Sequence, residues 1–471
     1  MNRTGVVTAI TCCMALASGG ALAAPSAATP GMGAEAEREA TEILKALIRL
    51  DTQNPPGNET RIAQYLANTF KAAGIPYELI EPVPGRASIV ARIKGNGSKR
   101  ALLVMAHEDV VPALAAQWSV DPFSGIERDG IVYGRGAFDD KGMLAANVEA
   151  LLQLKRAHVP LDRDVIFLAE ADEETGGGPA GMAGIIEKYW DRIDCEYALN
   201  EAQIAGVEQG RIVTMTVATG EKVVRRARLI AHGPTGHASV PRVDNAVVHL
   251  AAAVAAAGNW MTPARLNATT REYFRGRATL TQGDEHALYA DVLSATSQSL
   301  LRVRHPVEYS MLRTSVVPTM LSAGVEINII PETAEASLDI RALPDEDPRA
   351  FFAALEKVID DPQVKVVPDA DAFEPSPAPS RIDTEMYAAL EYAQRQVAPQ
   401  ALTLPLMTTG GSDSRLLQEK GVQTYGITIP LTETEALTHH GIDERVEIEW
   451  FRVFTHYLWI AVNQVAAHPS R

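Results

Sequence analysis

The chain has 471 residues, 46% hydrophobic and 22% charged, enough to bury a large core and too many for one small domain, so two domains are expected. A formal charge of -16 without a basic cluster argues against a nucleic-acid partner. Of three cysteines, Cys12 and Cys13 sit in the N-terminal apolar run; removing that run leaves only Cys195, which excludes an internal disulfide and leaves His, Asp and Glu to hold any metal.

In chain order, residues 1–23 open with Arg3, continue as a short apolar run and close on Ala21-Leu22-Ala23. That is the pattern of a secretory signal peptide, and it predicts a secreted or periplasmic chain. Gly19 and Gly20 interrupt the run before the roughly 20 apolar residues that a spanning helix needs, so no stable membrane anchor is expected. Helical spacing covers residues 34–51 and 58–73, with Pro55-Pro56-Gly57 between them. Strand-like runs at 101–107 and 164–170 then alternate with a helical stretch at 142–157. This alternation predicts a layered α/β domain with a largely parallel sheet, whose chemistry lies in the polar segments after the strands.

Near Gly220 the pattern becomes β-α-β-β-α-β, interrupted between about 262 and 312, which predicts a smaller α+β domain inserted into the first. The expected division is a catalytic domain of 34–220 and 373–471 split by a domain of 221–372, with Pro375-Ser376-Pro377-Ala378-Pro379 marking the return. The interruption is expected to shape the substrate pocket or a contact between subunits.

Three clusters carry chemistry. His107-Glu108-Asp109 closes an apolar strand, and a carboxylate two residues from a ligating His can hold its second ring nitrogen; a structural histidine is the alternative. Asp139-Asp140 places two carboxylates in a Gly-bearing turn before a helix. One of them, taken here as Asp139, can bridge two cations as well as cap the helix. Asp172-Glu173-Glu174 follows a buried strand, where three acids repel one another unless cations or solvent compensate. Against a solvated loop stands a division of labour, with Glu174 as a metal ligand and Glu173 as an unligated general base. Glu201, after Tyr197-Ala198-Leu199, and His440, far along the chain, complete two His and three carboxylates, a set suited to two zinc ions or to cobalt or manganese.

The run from His107 to Pro112, with Trp118, Pro122-Phe123-Ser124-Gly125, Gly134-Arg135-Gly136 and Asp139-Asp140-Lys141-Gly142, resembles the dizinc aminoacylase and carboxypeptidase family. The segment TPARLNATTREYFRG and the run HGIDERV place the resemblance nearest its Gly-Xaa carboxypeptidase and N-fatty-acyl-amino-acid hydrolase branch. The resemblance implies a three-layer α/β/α catalytic domain with an inserted ferredoxin-like lid or dimerisation domain. It implies one zinc on His107, Asp139 and Glu201, another on Asp139, Glu174 and His440, Glu173 as base, Asp109 behind His107, and a cis peptide at Asp139-Asp140. Either His439 or His440 can be argued, and the following Gly matches His440. His237 resembles the family's lid histidine, which steadies the oxyanion, often from a partner subunit, so a homodimer through the lid is expected. Asn328 and Arg341 match substrate-binding positions of the lid, with a structural salt bridge as the alternative for Arg341, and Gly411-Ser412 matches a loop for the substrate carboxylate. Glu108 departs from the pattern and is expected to add negative charge near the metals.

The implied reaction is hydrolysis of an amide beside a free carboxylate, in a small peptide (carboxypeptidase or dipeptidase type) or an N-acyl amino acid. Two rivals carry less weight. Gly176-Gly177-Gly178-Pro179-Ala180-Gly181 fits a dinucleotide fingerprint, but the acids before it would repel a pyrophosphate and Pro179 lacks a donor. A non-catalytic metal-binding homologue is disfavoured because the full set of residues is present.

Overall fold

The computed structural model describes residues 32–202 and 206–468, so the proposed signal peptide lies outside the described residues. Helices α1 (Ala34–Ile48) and α2 (Thr60–Ala73) come first, each with one buried stripe. Helix α2 stops at Gly74, whose φ of 65° is open to glycine at little cost. Strands β1 (Tyr77–Val83), β2 (Arg86–Ile93) and β3 (Leu102–His107) follow, then α3 (Lys141–Arg156), β4 (Val165–Glu170), α4 (Met182–Ile193), β5 (Tyr197–Glu201) and β6 (Thr214–Glu221).

The chain then enters a second sheet: β7 (Val223–His232), α5 (Ala246–Asn259), β8 (Ser315–Ala323), β9 (Thr333–Ala342), a helix at Pro348–Ile359 and β10 (Val364–Pro368). Its strand order is β8-β9-β7-β10, antiparallel throughout, which is the ferredoxin-like arrangement. Between α5 and β8 lie four helices: α6 (Ala268–Leu280), α7 (Gly283–Ala290), α8 (Ala295–Arg304) and α9 (Pro306–Met311).

Strands β11 (Leu402–Thr408) and β12 (Gln423–Ile427) return to the first sheet and give it the order β1-β2-β4-β3-β5-β12-β6-β11. The pairs β3/β4, β3/β5, β5/β12 and β6/β11 are parallel, whereas β1, β2 and the β6/β12 contact run antiparallel. Helices α1 and α3 and the C-terminal helix Ile448–Ala466 bury one face of this sheet, and α4 with Leu417 and Val422 buries the other. Every residue of β3 and β4 is buried, as expected for parallel strands covered on both faces. The two strands are in register from Leu102/Val165 to His107/Glu170, so both release their polar residues at the same sheet edge. Among the described residues no helix is long and apolar enough to cross a membrane.

A candidate dinuclear metal centre

The ends of β3 and β5, the Asp139 turn, the loop after β4 and the 439–440 turn meet at that edge. Asp139 is the hub. Its Oδ1 lies 3.0 Å from His107 Nε2, and its Oδ2 lies 2.6 Å from His439 Nε2 and 3.0 Å from His440 Nε2. His440 Nε2 also lies 3.1 Å from Glu174 Oε2. His107, Asp139 and Glu201 present ligand atoms within 4.8 Å of one another, as do Asp139, His439 and His440. Both histidines of the pair therefore reach the hub, and His440 spans Asp139 and Glu174. The Asp139-Asp140 peptide is cis.

The electrostatics describe a site built for cations. Burial, with the Asp139 and Glu173 charges, pushes the Glu201 carboxyl well above its usual range. Burial also raises Glu173, and Asp413, Asp139 and Glu174 add to this against the opposing pull of His107. Asp139 moves the other way: despite its burial, His107, His439 and His440 hold it well below the usual carboxylate range. Hydrogen bonds to Asp139 and Glu174 push His440 up to about 10. Crowded, desolvated carboxyls sharing protons with imidazoles form a donor set that divalent cations would relieve. The nitrogen and oxygen donors present thus fit two such ions.

Asp109 sits behind His107 and also braces the neighbouring acidic loop. His107 Nδ1 lies 2.9 Å from the Asp109 main-chain carbonyl, and the Asp109 carboxylate is 3.6 Å away. That carboxylate accepts the N–H groups of Glu173 (3.1 Å) and Glu174 (3.2 Å) and the Asn54 amide (2.8 Å). It fixes the loop that carries Glu173 and Glu174. Asp172, at φ 69°, completes the clamp by accepting from Asn54, Arg86 and Thr175. Gly177, at φ 62°, has no room for a Cβ, which would fall 2.0 Å from Asp413 Oδ1.

Glu444 does for Asp139 what Asp109 does for the acidic loop. Its Oε1 accepts from Phe138 N (2.9 Å) and Asp139 N (3.1 Å), and its Oε2 from Gly136 N (3.1 Å) and Arg135 Nη1 (2.6 Å). Arg135 Nη2 then donates to Gly441 O at 2.8 Å, joining the turn to the histidine pair. Sequence reading missed Asn54, which lies in no acidic or histidine-rich cluster, and Glu444, which lies in the HGIDERV run but whose bonds to the Asp139 turn appear only in the fold.

The expected charge at Glu108 is corrected. Glu108 is fully buried, and burial, then Glu59 and Asp109, push its carboxyl well above the usual range, which opposes the charge expected there. The substrate-binding candidates divide. His237, Asn328 and Arg341 lie on the lid, and their hydrogen bonds among the described residues stay there: His237 Nδ1 to Ser239 Oγ at 2.8 Å, Asn328 O to Ala238 N at 2.9 Å, and Arg341 Nε to Asp339 Oδ1 at 2.7 Å. Arg341 therefore makes an ion pair within its own strand. Ser412 lies beside the metal cluster, but its N–H (3.0 Å) and its hydroxyl both donate to Glu221. Gly411 precedes it in the same loop, on the rim of a cavity that Glu201 also lines.

Residues 103–463 match the model of peptidase family M20/M25/M40, and the chain belongs to that family. It is a metallohydrolase of peptidase or aminoacylase type. Among its relatives, N-fatty-acyl-amino acid synthase/hydrolase PM20D1 of Homo sapiens is 26% identical over 91% of this chain and 88% of its own length. Aminoacylase-1 of Sus scrofa is 25% identical over 93% of this chain and 98% of its own. The M20 family metallo-carboxypeptidase Sso-CP2 from Sulfolobus solfataricus shares the fold, with a TM-score of 0.68 at 20% identity over 90% of this chain and 98% of that one.

Proposed function

We propose that this chain hydrolyses the amide bond of N-acyl amino acids, with Glu173 as general base. The observation that carries the reading is the placement of Asp139 between two ligand sets, His107 with Glu201 and Glu174 with His440, with Glu173 on the same loop as Glu174. The acyl-amino-acid substrate is favoured over the carboxypeptidase reading because the human relative is named for N-fatty-acyl amino acids and the pig relative is an aminoacylase.

Two divalent cations, zinc by choice with cobalt or manganese as substitutes, would be held by these five residues and would supply Lewis-acid polarisation of the scissile carbonyl and acidification of water. Glu173, raised in pKa and unligated, accepts the proton of the attacking water and returns it to the leaving amine. Asp109 keeps that carboxyl in place through the backbone N–H groups of its loop. On the lid, His237 would reach the developing oxyanion, and Arg341 would take the substrate carboxylate by exchanging it for Asp339.

The signal pattern of residues 1–23 supports a secreted or periplasmic chain, and a protein retained in the cytoplasm with residues 1–23 still attached would exclude it. A homodimer through the lid is supported by its edge strand β8, where Met320 is 69% and Leu321 66% exposed; a monomer in sedimentation at micromolar concentration would exclude it.

The decisive experiment assays metal-loaded protein on N-acyl amino acids and dipeptides, with Glu173→Gln beside the wild type. The variant should lose roughly 10²- to 10⁴-fold in kcat at unchanged metal content. Equal turnover in the variant removes Glu173 from the mechanism.

A further inference from the structure

The helical insertion is bolted to the catalytic domain. Tyr273, Phe274, Leu288, Leu301 and Met311 form one buried cluster with Leu404 and Leu406 of β11. Gly276 approaches so closely that a Cβ there would lie 2.2 Å from Leu404. At the insertion's end Ser310 is gripped by Lys222, a buried lysine at the junction of the two domains, whose amine donates to Ser310 Oγ at 2.9 Å and Ser315 Oγ at 3.0 Å. Lys222 is preceded by Glu221, which holds Ser412. A cavity of about 130 Å³ is lined by Glu201, Glu221, Leu406, Met407, the Gly410–Ser412 loop and Val307 of α9.

Val307 is 47% exposed, so it contributes little to the core. Its position is nevertheless fixed, by Pro306 at the start of its helix, by Ser310 one turn on, and by buried Met311 and Leu312. The described cavity lining contains no Lys, Arg or His and includes two carboxyls, Glu201 and Glu221. Beyond the ion that Glu201 would hold, a substrate carboxylate would find no cation in the described lining, and both Ser412 donors are taken by Glu221. An uncharged group fits.

We infer that this cavity receives the acyl chain of the substrate and that Val307, contributed by the insertion, sets the chain length it accepts. The inference rests on the N-acyl-amino-acid reading given above. A volume of 130 Å³ is about four water volumes, at roughly 30 Å³ each, and therefore takes about four or five methylene-sized groups beyond the carbonyl. Pentanoyl and hexanoyl chains fill it. Each added methylene up to that length should raise kcat/KM about three- to fourfold, and longer chains should gain nothing further.

The test measures kcat/KM for acetyl, butanoyl, hexanoyl and dodecanoyl derivatives of one amino acid, with metal-loaded wild type, Val307→Trp and Val307→Ala. The expected result is a plateau at hexanoyl in the wild type. The hexanoyl-to-acetyl ratio should fall at least tenfold in Val307→Trp, and the plateau should move to longer chains in Val307→Ala. A parallel series varies the amino acid at fixed acyl group. If the Val307 variants shift that series and leave the acyl series alone, or leave both unchanged, the cavity is not the acyl pocket. If the wild type hydrolyses no N-acyl amino acid at all, the underlying functional reading fails and the inference fails with it.

Discussion

Replacing Glu444 by Gln tests how the hub of the site is held. The buried carboxylate accepts four bonds, two on each oxygen, from Phe138 N, Asp139 N, Gly136 N and Arg135. Whichever oxygen becomes an amide NH2 then faces two donors and loses both bonds. Hydrogen bonds to a charged group contribute about 1.5–3 kcal/mol each, so the loss is about 3–6 kcal/mol. The same change leaves the Arg135 guanidinium, 3% exposed, without its ion pair, for which about 3–5 kcal/mol is typical and overlaps the first figure. At about 2 °C per kcal/mol for a large domain, the melting midpoint should drop by roughly 6 °C or more. With the amide oxygen kept on Arg135 and the NH2 in the Oε1 place, the Asp139 N–H loses its acceptor, and metal affinity should fall as well. Differential scanning calorimetry and metal analysis after dialysis read the two effects. A midpoint within a degree of the wild type, with full metal retention, would refute the claim that Glu444 positions Asp139.

Asn54→Ala removes the amide that ties Asp109 to Asp172, and it should lower kcat roughly 10- to 100-fold, as is typical of residues that orient a metal site, with KM changing less; unchanged steady-state kinetics would dismiss the clamp. Glu149 is buried on α3 with Oε2 unpartnered among the described residues, and burial pushes its carboxyl up to about 7 from an ordinary 4.5. The folded state therefore binds the extra proton across that window, so stability falls as pH rises through it, by about 3 kcal/mol in all. Glu149→Gln should flatten this slope in denaturant titrations between pH 5 and 7.5, and an identical slope in the variant assigns the pH dependence elsewhere. Exhaustive chelation should stop hydrolysis, with recovery on adding zinc; full activity in verified metal-free protein would overturn the metal-dependent mechanism.

Much of this molecule is legible in its sequence because its chemistry sits at the ends of strands. The apolar runs that become β3 and β4 predict their own burial, and the polar residues that end them, His107 and Glu170, mark the sheet edge. The change of pattern near Gly220 likewise announces the second sheet. Other features depend on bonds between distant residues. Glu444 meets Asp139 across 305 positions, and Asn54 meets Asp172 across 118, so no local pattern reports them. Glu108 reads as an added charge beside the metals because sequence cannot show the desolvation that raises its carboxyl. Ser412 reads as a donor for substrate until Glu221, 191 positions away, is seen to occupy it. The insertion's packing on β11, and Val307 on the cavity that Glu201 also lines, are likewise visible only in the fold.

The central claim is that Asp139 is shared by two ions. It is tested most directly by a crystal structure of the zinc-loaded protein with anomalous data at the metal edge. The account predicts two peaks per chain, one bounded by His107, Asp139 and Glu201 and the other by Asp139, Glu174 and His440, with Glu173 bound to neither. A single peak, a second ion held by His439 in place of His440, or Glu173 as a ligand would contradict it.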